Sequence, residues 1–182
     1  YEEGYVLVQV SNEQEYNRLL ETGSQLEEIC NPLEAIIAAM QEDALHRIET
    51  IPSYPCYRTV EETFTTAASI AANYPGLATW TDIGDSWEKV HGFGGYDMMV
   101  LKLTNSAITR PKPKIFLSGA IHAREYTTAE LVTRIAEYLV TNYGTDADVT
   151  WMLDYHEVHM LLHTNPDGRK KAETGLSWRK NT

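Results

Sequence analysis

The chain is poor in cysteine, in basic charge and in long apolar runs, and each shortage excludes a class of protein. Two cysteines in 182 residues, Cys30 and Cys56, are too few for a disulfide scaffold. They could pair and tether the N-terminal segment to the rest of the chain, or remain two buried thiols. Neither has the His or acidic neighbours that would mark a nucleophile. Lys and Arg number 15 against 26 Asp and Glu, a net charge of −11, and nucleic acid as a partner would need a basic surface. No apolar run approaches the roughly 18 residues of a membrane span. No signal-peptide pattern is present and the first residue is Tyr1, so a processed or partial product is expected. Internal repeats and low-complexity segments are also lacking.

What is present is an ordinary globular composition, 43% hydrophobic and 23% charged, in a length that supports one sizeable core and a small extra module. The charge is unevenly placed. Residues 1–50 hold 11 acidic and 2 basic residues, and the remainder is close to balanced. The break falls at Ile51-Pro52-Ser53-Tyr54-Pro55, where two prolines punctuate the chain. Residues 1–52 are therefore expected to form an acidic N-terminal extension, and 53–182 the main domain. From Gly168 to Lys180 the balance reverses (Arg169, Lys170, Lys171, Arg179 and Lys180 against Glu173), which suits either a solvated loop or an anion-facing wall.

Periodicity predicts a strand at 5–10, a helix capped by Ser11 or Asn12 and stopped by Gly23, and a second helix opened by Asn31-Pro32. Thr59-x-x-Glu62 is a capping box before a helix over about 60–73, with Phe64, Ala67, Ala68 and Ala71 as its buried stripe. Strands are expected at 79–83 and 98–103, joined by a hairpin-like loop with Gly92, Gly94 and Gly95. Lys114 to Ala120 reads as a strand buried on both faces. A helix over 127–143 comes next, with Leu131, Val132, Ile135 and Leu139 inward and Gly144 as its stop. A short helix near 146–153 and a strand near 155–163 complete an α/β pattern, a mostly parallel or mixed sheet flanked by helices.

The chemistry concentrates in Gly119-Ala120-Ile121-His122-Ala123-Arg124-Glu125. In open α/β sheets ligands bind beyond the carboxyl ends of the strands. An imidazole and a carboxylate three residues apart in a tight turn there can aim at one zinc ion. By spacing alone, a histidine bonded to a nearby carboxylate at a helix start is an equally good account. His156, His159 and His163 read as strand-surface or sheet-packing histidines, and His46 and His91 have no partner nearby in sequence.

The order strand, His122-Ala123-Arg124-Glu125, long helix, strand, Thr164-Asn165-Pro166-Asp167-Gly168, then Trp178-Arg179-Lys180 resembles the zinc carboxypeptidase family that includes carboxypeptidases A, B and T. The resemblance runs from about Tyr57 to the end of the chain. It implies a carboxypeptidase-like fold and a zinc cofactor with His122 and Glu125 as two of its ligands. It further implies that Arg124 contacts the substrate backbone, that Arg179 polarises the scissile carbonyl, and that Asn165-Pro166-Asp167-Gly168 is a structural turn. The substrate would be the C-terminus of a peptide or protein. The family's third zinc ligand, its carboxylate-gripping pair and its general base would lie beyond Thr182, so the chain is expected to be a truncated domain, inactive alone, whose partner is the rest of that domain. An acidic pro-segment at 1–52 and a secreted location are family habits carried by the same resemblance. An amidase of the same fold and a non-catalytic binding domain are the alternatives. Retention of His122, Glu125 and Arg179 together argues against the latter.

Overall fold

The computed structural model describes residues 13–23, 51, 54 and 56–181. The chain divides into two units, Tyr1–Met40 and Gln41–Thr182, and each is described by itself. In the first unit, helix α1 (Glu13–Glu21) ends in a turn where Gly23 takes a left-handed φ of 72°, as its position after the apolar periodicity predicts. The strand at 5–10, the caps Ser11 and Asn12, the Asn31-Pro32 helix, Cys30 and His46 lie outside the described residues.

The second unit is built on a four-stranded sheet. Thr59 opens α2 (Val60–Asn73) with both hydrogen bonds of a capping box present, Glu62 N to the Thr59 side chain and Thr59 N to the Glu62 side chain. Its buried stripe is Val60, Thr63, Ala67 and Ile70. Phe64 and Ala71 are half-buried and Ala68 faces solvent, so the predicted stripe is rotated on the helix. Then come β1 (Ala78–Asp85), the short helix α3 (Trp87–Val90), β2 (Asp97–Leu103), β3 (Lys114–Ser118), α4 (Tyr126–Asn142), α5 (Ala147–Tyr155), β4 (Glu157–Leu161) and α6 (Pro166–Glu173).

The strand order is β1-β2-β4-β3. β1 pairs antiparallel with β2 and β2 antiparallel with β4, while β3 runs parallel to β4. The sheet is therefore mixed, and β3 of its one parallel pair leads into the stretch from Gly119 to Glu125. Ala78, Leu101, Leu103, Val158 and Met160 cluster with Ala67 and Ile70 of α2, Val132, Ala136, Leu139 and Val140 of α4, and Val149 and Leu153 of α5. Burying such a cluster supplies roughly 1.5–3 kcal/mol per large side chain before chain entropy is set against it.

The structure corrects two further expectations. Among the described residues β3 lies at the edge of the sheet rather than buried on both faces: Ile115 and Phe116 are exposed, Phe116 at 62%. On α4, Leu131 points outward and the buried set is Ala129, Glu130, Val132, Thr133, Ala136, Leu139 and Val140. Among the described residues no helix is long and apolar enough to cross a membrane.

Candidate functional site

The parallel ladder continues past the end of β3. Gly119 N donates to Leu161 O at 2.9 Å and Thr164 N donates to Gly119 O at 2.9 Å. Gly119 has no room for a side chain: a Cβ would lie 2.8 Å from Leu162 O, 3.0 Å from Thr128 O and 3.1 Å from Ala129 Cα. This close approach seats the start of α4 on the sheet. Ala120 then turns the chain with φ 50°, left-handed and unusual for a residue with a Cβ.

Thr128 stabilises that turn, its Oγ1 accepting from Ala120 N at 2.9 Å and donating to Glu125 O at 3.0 Å. Glu125 N donates to His122 O at 3.1 Å, closing the turn, and Ala123 is fully buried beneath it. His122 and Glu125 are thereby aimed to one side. His122 Nδ1 lies 3.0 Å from Glu125 Oε2, with both side chains open to solvent.

Arg179 approaches from another part of the chain. Its Nη2 donates to His122 Nδ1 at 3.2 Å and its Nε lies 3.7 Å from Glu125 Oε1. The main chain is joined as well, Ala123 N donating to Arg179 O at 3.2 Å. Arg124 Nη1 donates to Ser177 Oγ at 2.7 Å. The four residues singled out in the sequence, His122, Arg124, Glu125 and Arg179, thus come together around one turn.

His122 Nδ1 thus has two close neighbours: Glu125 Oε2 at 3.0 Å, to which an Nδ1–H would donate, and Arg179 Nη2 at 3.2 Å, which donates to its lone pair in the other tautomer. Nδ1 and Oε2 lie 3.0 Å apart on one side of the turn, beside the Arg179 guanidinium. Converging imidazole and carboxylate lone pairs are a donor set that suits zinc. Among the described residues no cluster of three or more His, Cys, Asp or Glu is present, so the set comprises two donors, one short of the three a catalytic zinc takes from protein.

The other histidines are elsewhere. His156 caps α5 and its Nδ1 lies 3.3 Å from Met152 O. His159 Nε2 pairs with Glu157 Oε2 at 2.9 Å on β4. His163, 1% exposed, packs edge-on to Phe64. Burial and the nearby Arg169 cation push its pKa down to about 3, so it is neutral. The strand ends at Leu161, and the alternation expected through residue 163 stops with it.

Asn165-Pro166-Asp167-Gly168 is more than a turn. It starts helix α6, with the Asn165 side chain accepting from Gly168 N at 3.0 Å and Pro166 in the first turn. Asp167 Oδ2 accepts from Glu88 N at 2.9 Å, at the first turn of α3. Arg169 is fully buried, so residues 168–180 are not a uniformly solvated loop. Its Nη2 donates to Arg58 O at 3.0 Å and its guanidinium carbon lies 4.2 Å from the Tyr126 ring centroid. Asn165 was expected only as part of a structural turn, and Thr128, Tyr126 and Arg169 are supporting residues that sequence reasoning missed. Asn-Pro is itself a helix-start signal, but the contacts of the other three leave no local pattern.

Residues 65–182 match the family described as zinc carboxypeptidase. A carboxypeptidase A2 of Mus musculus is 34% identical over 129 residues, 70% of this chain and 29% of that protein. A zinc carboxypeptidase of Saccharothrix mutabilis subsp. capreolus is 30% identical over 132 residues, again 70% and 29%. The carboxypeptidase A of Helicoverpa armigera has the same fold with a TM-score of 0.60 at 23% identity, over 93% of this chain and 41% of that one. The chain spans about three tenths of the length of the curated relatives it matches.

Proposed function

The chain belongs to the zinc carboxypeptidase family, and from that premise we propose that the protein carrying it removes C-terminal residues from peptides, with His122 and Glu125 as two zinc ligands, Arg124 and Arg179 as substrate-binding groups and Arg179 as the catalytic arginine. The observation that carries this reading is the convergence of the His122 and Glu125 donors 3.0 Å apart beside the Arg179 guanidinium. Bound zinc would supply Lewis-acid polarisation and a water acidic enough to attack at neutral pH.

The residues of this chain do the rest of what is proposed. The Arg179 guanidinium offers a fixed fork of N–H donors. Half exposed beside the two ligands, it is suited to an oxygen that gains negative charge as a peptide carbonyl is attacked. Arg124, held by Ser177 close to the same turn, supports binding of the substrate main chain.

Zinc analysis and C-terminal release from blocked dipeptides, measured on the full-length protein and on His122→Ala and Glu125→Ala, test this reading. One zinc per chain and release that fails in both variants are expected. A protein with no zinc and no release sinks it. Residues 1–182 alone are expected to be inactive, because two donors hold zinc weakly. The acidic segment 1–52 is proposed as a pro-segment of a secreted enzyme, and unchanged activity after its deletion from the full-length protein refutes that part.

A further inference from the structure

Arg179 sits on a segment whose side chains, Thr174 to Asn181, are all exposed. Packing therefore does little to fix its place, yet its guanidinium must meet two particular groups. Its main chain is held instead by donors from the rest of the domain. One is Ala123 N, which reaches Arg179 O at 3.2 Å. The other is a side chain: Asn165 Nδ2 donates to Lys180 O at 2.9 Å.

Asn165 is suited to act as an anchor. It is 2% exposed, and its amide is engaged at both ends, Oδ1 to Gly168 N at 3.0 Å and Nδ2 to Lys180 O. Its own carbonyl accepts from Arg169 N at 3.0 Å. Gly168 lies so close that a Cβ there would meet the Asn165 amide at 2.5–2.9 Å. One buried group, bonded at both ends of its amide, thus meets two successive things: the start of α6 and the carbonyl next to Arg179.

We propose that Asn165 is the positioning residue for Arg179, holding the Trp178–Lys180 main chain against the His122–Glu125 turn so that the guanidinium meets the transition state in place. The proposal rests on the function proposed for Arg179. Asn165 does not touch substrate in this account and acts only through the arginine.

The two roles of Asn165 can be separated. Asp and Ser cap helices about as well as Asn, so Asn165→Asp and Asn165→Ser keep an acceptor for Gly168 N and remove the donor to Lys180 O. In the full-length protein both variants should retain stoichiometric zinc. kcat should fall by about tenfold or more with KM changed less than about twofold, the signature of an interaction used in the transition state. In an Arg179→Ala background the same substitutions should have no further effect, because residues acting as one unit are not additive. Amide exchange at Ala123, which donates to Arg179 O, should quicken in both variants.

An unchanged kcat in both variants, a full additional loss in the Arg179→Ala background, or unaltered exchange at Ala123 would each overturn the proposal. If Arg179→Ala itself leaves kcat intact, the function assigned to Arg179 fails, and exchange at Ala123 still decides whether Asn165 holds the segment.

Discussion

The Arg169 guanidinium lies over the ring of Tyr126, 4.2 Å from carbon to centroid. Tyr126 follows Glu125 directly, and its hydroxyl donates to Ala172 O at 2.7 Å. Arg169 also pairs with Glu173, Nε to Oε1 at 3.4 Å, and reaches Arg58 O. The residue after a proposed ligand is thus tied to α6 and, through it, to the residues that precede α2. Tyr126→Phe keeps the stack and loses one hydrogen bond, costing about 1 kcal/mol in urea unfolding. Arg169→Met costs more, about 3 kcal/mol, because it takes from buried Glu173 one of the two cations paired with it among the described residues, leaving Lys170 at 3.4 Å, and also removes the ring contact and the bond to Arg58 O. Equal effects from the two substitutions would show that the ion pair and the ring contact of Arg169 together contribute no more than one hydrogen bond.

Gly119 is the point where the end of β3 and α4 touch. A methyl group added there meets two main-chain carbonyls and an α-carbon at 2.8–3.1 Å, none of them on a flexible side chain. Gly119→Ala must push α4 off the sheet and the turn with it. A loss of about 1–3 kcal/mol is expected, as for overpacked cores, with weaker zinc retention in the full-length protein. Wild-type unfolding and zinc titration curves for this variant would show that the contact relaxes without consequence.

The local signals in the sequence were faithful where the physics is local. The Thr59–Glu62 capping box, the Gly23 and Gly144 stops and the strand-turn-helix around His122 depend on neighbours within a few residues, and all appear in the structure. The burial of β3 is not local. An apolar strand reads alike in the middle of a sheet and at its edge, and among the described residues Phe116 is 62% exposed. Arg169 is the opposite case. A lone arginine in a basic run reads as solvated, and only its contacts with Glu173, Tyr126 and Arg58 account for its burial. The candidate site falls between: His122, Glu125 and Arg179 were legible as residue types, while the hydrogen bonds that aim them were not.

Burial and the Arg169 cation lower the pKa of His163 to about 3. The unfolded chain binds a proton there near pH 6.5 and the folded one does not. The stability this histidine contributes is therefore full above about pH 6.5 and is lost as pH falls from there towards 3. Glu173, whose pKa is raised by burial, acts in the opposite sense: its folded form holds a proton longer, which offsets part of the acid loss. An NMR titration should find the His163 ring neutral from about pH 8 down to about 5, whereas exposed imidazoles titrate near 6.5. Titration of this ring near 6.5 would show that it reaches water, contrary to its 1% exposure.

Thr128 is the remaining brace on the turn, and it can be tested with a nearly isosteric change. Its hydroxyl accepts from Ala120 N and donates to Glu125 O, linking the strained Ala120 to the carbonyl of Glu125. Thr128→Val keeps the shape of the side chain and removes both bonds. Ala120, fully buried with φ 50°, is left with an amide that has lost this acceptor, at a cost of about 1–3 kcal/mol. The larger effect should be on the metal. Outer groups that orient ligands typically change metal affinity by about 10–100-fold when removed, so competition with a chelator should strip zinc from full-length Thr128→Val well before wild type. Thr128→Ser, which keeps the hydroxyl, should restore retention. If Val and Ser variants hold zinc equally, the turn is stiff enough without the hydroxyl, and the preorganisation of His122 and Glu125 must come from Gly119 and Ala123 packing alone.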